Sequence, residues 1–385
     1  MKNLCGLIAF AIVMLLNCGS AIGEEKTTLN KAVDWLVSQQ DDSGAFKSQH
    51  YGAMKQGAAT TSLALYSLSM TPEKCREKNR EAIQKAIAFL MPGIRARGRV
   101  ANPDGSLDHP VYSTAMFLVA VNRLDHELDP KLLVTLLDFL VRSQCVEDRG
   151  FGPENPNHGG WDVIGPDVMP GKTSGTNVSV THFVLEAFAC HVPVAQDQDS
   201  VIDKVTIERV LNSRKQAVAW LGRLQEKSES GGFYFTAQPG SALNKSRTDD
   251  DKPQPYASAT CDGLLSLSFG GEIESVNFEN ASQWIRKRTT AVTVGGFENQ
   301  KDSGWPKALQ FYYLQSLARS TVSIGDSEKM KKEKLSESIL ADIHATLGKS
   351  QHEDGRFENE SSLMRENDPL IATSFAIIAL SSSAE

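Results

Sequence analysis

The apolar positions of this chain repeat one helical phrase. A Thr is followed by large apolar residues four and seven positions later, the spacing of one face of an α-helix. The phrase reads Thr61, Leu65, Leu68; Thr114, Leu118, Val121; Thr181, Leu185, Phe188; Thr260, Leu264, Leu267; and Thr373, Ile377, Leu380. A degenerate copy, Gln310, Leu314, Leu317, stands where the count needs one. Small residues such as Ala58, Ala115, Ser258 and Ala372 crowd the starts of these stretches. Each stretch therefore predicts a helix buried on most sides, with close neighbours at its N-terminal end.

An amphipathic segment and a Gly-containing turn precede each copy. The first pairs residues 32–40 with the turn at Gly44, the apolar face carrying Val33, Leu36 and Val37. Further amphipathic segments fall at 86–90, 136–144, 217–225, 284–288 and 339–350. The Thr anchors are spaced unevenly, and the long intervals coincide with polar insertions at 153–176 and 236–255, as expected if insertions fall in loops. Six helix hairpins without a shift in composition predict one domain over 24–385. The last repeat is apolar rather than polar, ending IATSFAIIAL, so the ends are expected to cover each other in a closed ring. The fold class is all-α: an (α/α)6 toroid, about twelve helices in two concentric rings.

Composition adds constraints. The chain has 385 residues, 41% of them hydrophobic, and a net charge of −7, which argues against a nucleic-acid partner. Lys2, an apolar run from Leu4 to Leu16 and the small residues before Ala21 and Gly23 read as a secretory signal over 1–23, cleaved after either. Asn17 before Cys18 fits a lipoprotein signal poorly. The mature chain is expected to be exported, periplasmic or extracellular, with no later stretch able to span a bilayer. Cys75, Cys145, Cys190 and Cys261 lack CxxC spacing; they read as buried small hydrophobes in preference to disulfides.

A second signal sits in the turns: Gln, three residues, Gly, one residue, aromatic. It is intact at Gln40, Gly44, Phe46 and at Gln351, Gly355, Phe357. Looser copies pair Gln144 with Gly150-Phe151 and Gln225 with Gly231-Gly232-Phe233. Over roughly residues 30–383 the chain resembles the prenyltransferase and squalene-cyclase repeat family, whose fold is the α/α toroid. The resemblance implies that the Gln bonds backbone groups at helix ends and the aromatic packs on the turn.

The family's reactions need more than this scaffold. Its class II cyclases protonate an alkene with an acidic motif whose Thr-Ala opens an inner helix. Here the slots four, two and one residues before each Thr hold no acid: Gly57, Ala59, Thr60; Pro110, Tyr112, Ser113; Asn177, Ser179, Val180; Tyr256, Ser258, Ala259; Pro369, Ile371, Ala372. Asp249-Asp250-Asp251 lies in a polar loop. In the zinc-dependent branch, Asn177 and Ser179 stand where Asp and Cys ligands belong, so neither metal nor cofactor is expected. What remains is a central cavity for an apolar small molecule or lipid of isoprenoid type. Its candidate lining is His158, Trp161, His182, Tyr256, Trp305 and Tyr312, with Asp162, Asp167 and Asp262 as candidate acids and Glu186 and Tyr313 as further polar groups. Two alternatives stay open. One is a carbohydrate-active hydrolase or lyase on an (α/α)6 barrel, using paired carboxylates. The other is a non-catalytic interaction scaffold in the cell envelope.

Overall fold

The computed structural model describes residues 27–166, 172–192, 202–227, 230–238, 240–300, 303–328 and 335–382; the expected signal segment and Asp167 lie outside them. The described residues form fourteen α-helices and no β-strand. Six of these build an inner ring: α2 (Ala58–Ser69), α5 (Pro110–Arg123), α7 (Val178–His191), α9 (Ala257–Gly270), α12 (Gln310–Asp326) and α14 (Pro369–Ser381). Each packs on the next, and α14 returns to pack on α2. The outer helices are α1 (27–38), α4 (Arg80–Arg97), α6 (Pro130–Arg142), α8 (Lys204–Leu224), α10 (Val276–Arg288) and α13 (Leu335–Ser350). Two short helices, α3 (Glu73–Lys78) and α11 (Trp305–Ala308), lie in the connections. The architecture is the closed toroid that the repeats predict, with longer outer helices than the amphipathic segments alone suggest.

The helices start where the sequence offers caps. Asp129 accepts from the N–H groups of Lys131 and Leu132 ahead of Pro130, Asn177 accepts from Val180, and Ser275 accepts from Phe278. The recurring Thr of the phrase is a structural device. Its hydroxyl accepts the N–H of the residue closing the preceding turn. This bond joins Phe46 to Thr61, Val100 to Thr114, Trp161 to Thr181, Phe233 to Thr260 and Phe357 to Thr373, over 2.9–3.3 Å. In the fifth repeat no Thr is present. There the buried Glu366 accepts the N–H groups of Phe311 and Tyr312 and so fixes the start of α12.

In four of the six turns a Gln ties one repeat to the next. Gln40 Nε2 donates to Gly44 O in its own turn, at 3.0 Å, and to Ala82 O on α4, at 2.8 Å. Gln225 does the same with Gly231 and Asn277 on α10. Gln351 donates to Gly355 O and to Thr28 O on α1, both at 2.9 Å, which joins the last repeat to the first. Gln144 donates to Gly159 O and to Ser213 O on α8. This last pairing corrects the sequence reading: the turn belonging to Gln144 is Gly159-Gly160-Trp161, not Gly150-Phe151. Residues 145–158 are inserted inside the motif and separate its halves.

The turn Gly also fixes how close the next outer helix comes. Gly355 has φ +98°, and a Cβ there would lie 2.4 Å from Lys31 O on α1. A side chain at this position would meet both a left-handed backbone and a carbonyl that cannot move without α1. We expect Gly355→Ala to destabilise the protein by at least about 2 kcal/mol in urea unfolding. Gly222→Ala, inside α8 and meeting nothing within 4 Å, serves as control and should leave stability unchanged or raise it by up to about 1 kcal/mol.

Candidate functional site

The N-terminal ends of the inner helices converge at one end of the ring around a cavity of about 570 Å³. Such a volume falls within the range typical of small-molecule sites. Its lining follows a rule in the repeat. The residues two before and two after the anchor position, one helical turn apart, face the axis: Ala59 and Leu63 on α2, Tyr112 and Met116 on α5, Ile371 and Phe375 on α14. Ser179 and Tyr312 occupy the corresponding slots on α7 and α12. Loops complete the wall with Phe235, Leu243, Lys245 and Trp305. Among the described lining residues none is Asp or Glu. A larger depression, 1020 Å³, lies on the outer side between α8 and α10, but it is a polar surface groove without the inner-helix ends.

Below the cavity the axis is filled. The repeat pattern predicts a hollow centre; the structure confines the hollow to one end and packs a chain of polar side chains beneath it. Tyr112 OH and Tyr312 OH both hydrogen-bond Ser179 Oγ, the second at 2.5 Å. Tyr312 OH donates to Asp262 Oδ2 at 2.7 Å, and Ser316 Oγ donates to Oδ1 at 2.9 Å. His182 Nδ1 lies 3.6 Å from the same oxygen. Arg319 donates to His182 Nε2 at 3.2 Å and to Glu186 Oε2 at 2.7 Å. Tyr66 OH donates to Glu186 as well, and Arg123 approaches its other oxygen at 3.3 Å. Because Nε2 accepts from Arg319, the proton of neutral His182 is on Nδ1, facing Asp262.

Burial sets the charges in this chain. Desolvation raises the Asp262 carboxyl, and the bonds from Tyr312 and Ser316 offset only part of that, leaving it at about 7. Desolvation and the neighbouring Arg319 push His182 well below the usual imidazole range, so it is neutral. Burial alone would lower Arg319, but the Glu186 carboxylate more than offsets it and holds the guanidinium charged. The Glu186–Arg319 pair is 1% and 4% exposed, an ion pair whose partners each depend on the other. It reads as a support for the ring's centre.

The sequence-derived candidates separate. Trp305 and Tyr312 line the cavity, while Asp262 and His182 lie directly beneath it, out of reach of a ligand. Glu186 is deeper still, and Tyr313 turns away to bond Thr290 O. Trp161 is the aromatic of the third turn, with its indole N–H donated to Leu140 O. His158 sits outside the ring, 3.2 Å from Glu147. Tyr256 packs on Phe297 rather than on the cavity. Asp162 accepts from Ile164, Gly165, Thr173 and Ser174, so its carboxylate organises a loop. Asp250 pairs with Lys252 in the exposed loop. Lys245 is missed by sequence reasoning because it sits in a polar insertion with no periodic signal.

Burial makes poor nucleophiles of the cysteines inside the ring's helices and turns. All four in the described residues are free, and burial pushes the thiols of Cys145 and Cys190 up to about 12. Among the described residues no group of three His, Cys, Asp or Glu side chains could hold a metal ion, and no helix is long and apolar enough to cross a membrane.

Asp262 makes stability depend on pH in a defined direction. The folded chain holds this proton up to about pH 7, whereas an unfolded carboxyl releases it near pH 4. Between these values the unfolded state binds fewer protons, so the group's contribution to stability falls as pH rises. We expect Asp262→Asn to gain stability relative to the parent chain from pH 4 to pH 7, at roughly 1.4 kcal/mol per pH unit at most, with no further gain above. Thermal unfolding of both proteins at pH 4.5, 6 and 8 measures the difference.

Comparison with known proteins accords with this geometry. The sequence profile of the prenyltransferase alpha-alpha toroid domain matches residues 6–165 and 197–341. Sequence search among curated proteins finds no match. Among solved structures, a type II terpene cyclase from Scytonema in complex with merosterolic acid A superposes with a TM-score of 0.61 at 11% identity, over 95% of this chain and 98% of that one. An α-1,6-mannanase from Salegentibacter gives 0.57 at 13% identity, over 93% and 98%. A protein from Actinoplanes gives 0.57 at 16% identity, over 92% and 98%. At such identities these likenesses concern the fold, which serves both terpene and glycan chemistry. With its six hairpins, its Gln–Gly–aromatic turns and a profile match over most of its length, this chain belongs to the prenyltransferase alpha-alpha toroid domain family.

Proposed function

We propose that this protein binds an apolar, isoprenoid-type ligand in the cavity at the N-terminal ends of its inner helices. The observation that carries this reading is the lining: apolar and aromatic side chains from α2, α5, α12 and α14, without an acidic residue among those described. Burying a branched hydrocarbon against Leu63, Met116, Ile371 and Phe375 is favourable at about 25 cal/mol per Å² of apolar surface. The Scytonema neighbour, with geranylgeranyl dihydroxybenzoate as its substrate, supports the choice of ligand class. We further propose that residues 1–23 direct export, which gives the protein access to envelope lipids.

Two chemistries of the fold fit this lining poorly. Alkene protonation calls for a strong acid, yet burial raises Asp262 to about 7, and Tyr312 stands between it and the cavity. Glycoside hydrolysis calls for two carboxyl groups about 5–10 Å apart across the bond. The described lining has none, Asp162 is spent on its loop, and Asp262 lies under the floor. The reading is therefore ligand binding.

The test is titration of the purified protein with geranylgeraniol, followed by intrinsic tryptophan fluorescence, with Trp305→Phe identifying the part of the signal that comes from the cavity. Saturable binding of one ligand per chain is expected, and Ala59→Phe, which fills the cavity between α2 and α5, should weaken it by about tenfold or more (about 1.4 kcal/mol). An absence of any bound polyprenyl compound, alcohol, acid or diphosphate, in native mass spectrometry would sink the proposal.

A further inference from the structure

Lys245 is a cation with too few partners, placed in an apolar wall. It is 8% exposed and lines the cavity. Its ammonium lies 3.6 Å from the centre of the Phe235 ring and 5.6 Å from that of Trp305. The one hydrogen bond it makes among the described residues is a long one, 3.4 Å, to Leu243 O. An ammonium has three donors, so two find no acceptor among the described residues. Ring faces compensate part of the lost hydration, but a buried charge ordinarily finds a carboxylate. Among the described residues none hydrogen-bonds Lys245, and Asp262, whose charge reaches it, sits under Tyr312.

The position is also held. Asn244 accepts the N–H groups of Phe235 and Thr236 through its side-chain oxygen, at 2.9 and 3.1 Å. Ser246 donates to Gly296 O. The residues on both sides of Lys245 are thus pinned, and the ammonium is presented to the cavity. The other basic lining groups are differently placed: His109 is paired with Asp108 at 2.6 Å, and Arg365 leans on Tyr51.

From this arrangement we propose that Lys245 receives the head group of the ligand, and that the preferred ligand is an apolar monocarboxylic acid. Its tail occupies the space between α2, α5 and α14, and its carboxylate takes the two free ammonium donors beside Phe235 and Trp305. One buried ammonium balances one negative charge; the guanidinium of Arg365, the other permanent cation of the described lining, lies against Tyr51 rather than beside Phe235 and Trp305. The inference rests on the cavity being the apolar-ligand site.

Three probes with the same tail distinguish the possibilities: geranylgeranoic acid, geranylgeraniol and geranylgeranyl diphosphate, titrated at pH 7 and constant ionic strength. The acid should bind at least about tenfold more tightly than the alcohol, as a charge-assisted hydrogen bond predicts. In Lys245→Met the ratio of acid to alcohol affinity should fall toward one, while Lys245→Arg should retain a preference for the acid. Equal affinity for acid and alcohol in the parent protein, or tightest binding of the diphosphate, overturns the role of Lys245 and leaves the cavity reading standing. Failure of all three to bind overturns both.

Discussion

A single carboxamide group, used four times, holds this ring together. A Gln side-chain nitrogen has two protons, and in the turns of Gln40, Gln144, Gln225 and Gln351 one goes to the turn itself and the other to the next outer helix. The accepting backbone carbonyl has two lone pairs and so can take this bond in addition to one within its own helix. Spacing between hairpins is thereby fixed by hydrogen-bond length rather than by side-chain packing alone. Gly in the turn is the counterpart: it lets the two backbones meet where a Cβ would clash, as at Gly44 against Lys85 O and at Gly355 against Lys31 O. The bond from Gln351 to Thr28 spans nearly the whole sequence and makes the array a ring.

Closure decides what lies on the axis. Once six inner helices face one another, the slots two before and two after each anchor have nowhere to point but inward. At the upper level most are apolar and leave a cavity; below, Asp262, His182, Arg319 and Glu186 interlock with Tyr66 and Tyr312. A buried polar chain of this kind stabilises only if nearly every member finds a partner, because an unpaired group in a low-dielectric core is costly. This one largely does, and its bulk sets the depth of the cavity. Lys245 is the exception, a buried cation with one long hydrogen bond among the described residues.

The same environment sets the character of Asp262. Strong acids in proteins are carboxyls stabilised as anions. Asp262 is instead destabilised as an anion by burial and screened from the cavity by a phenol. A solvent-shielded acid of this sort is a structural hydrogen-bonding group near neutral pH. The apolar wall above it and the lone ammonium beside it are suited to holding an amphipathic molecule.

Much of this was written in the chain's periodicity. The Thr-led phrase, its small residues and the two intact Gln–Gly–aromatic turns determine six hairpins, the inner ring and its closure, since repeat spacing reports which faces are buried. The spacing does not report what stands across the ring. Tyr112 and Tyr312 meet at Ser179 although about two hundred residues separate them, and Trp161 serves the turn of Gln144 across an insertion that hides the pairing. His158, Trp161 and Tyr256 stood out by residue type, yet they pack in turns or on the outside. Lys245 comes from a loop without a pattern and reaches the cavity only because that loop folds back and is pinned at its neighbours. Local sequence thus determined the ring, through hydrogen bonds and packing that recur at a fixed spacing. The tertiary structure alone decided the lining of the cavity, because that surface is assembled from parts that are adjacent only when the ring has closed.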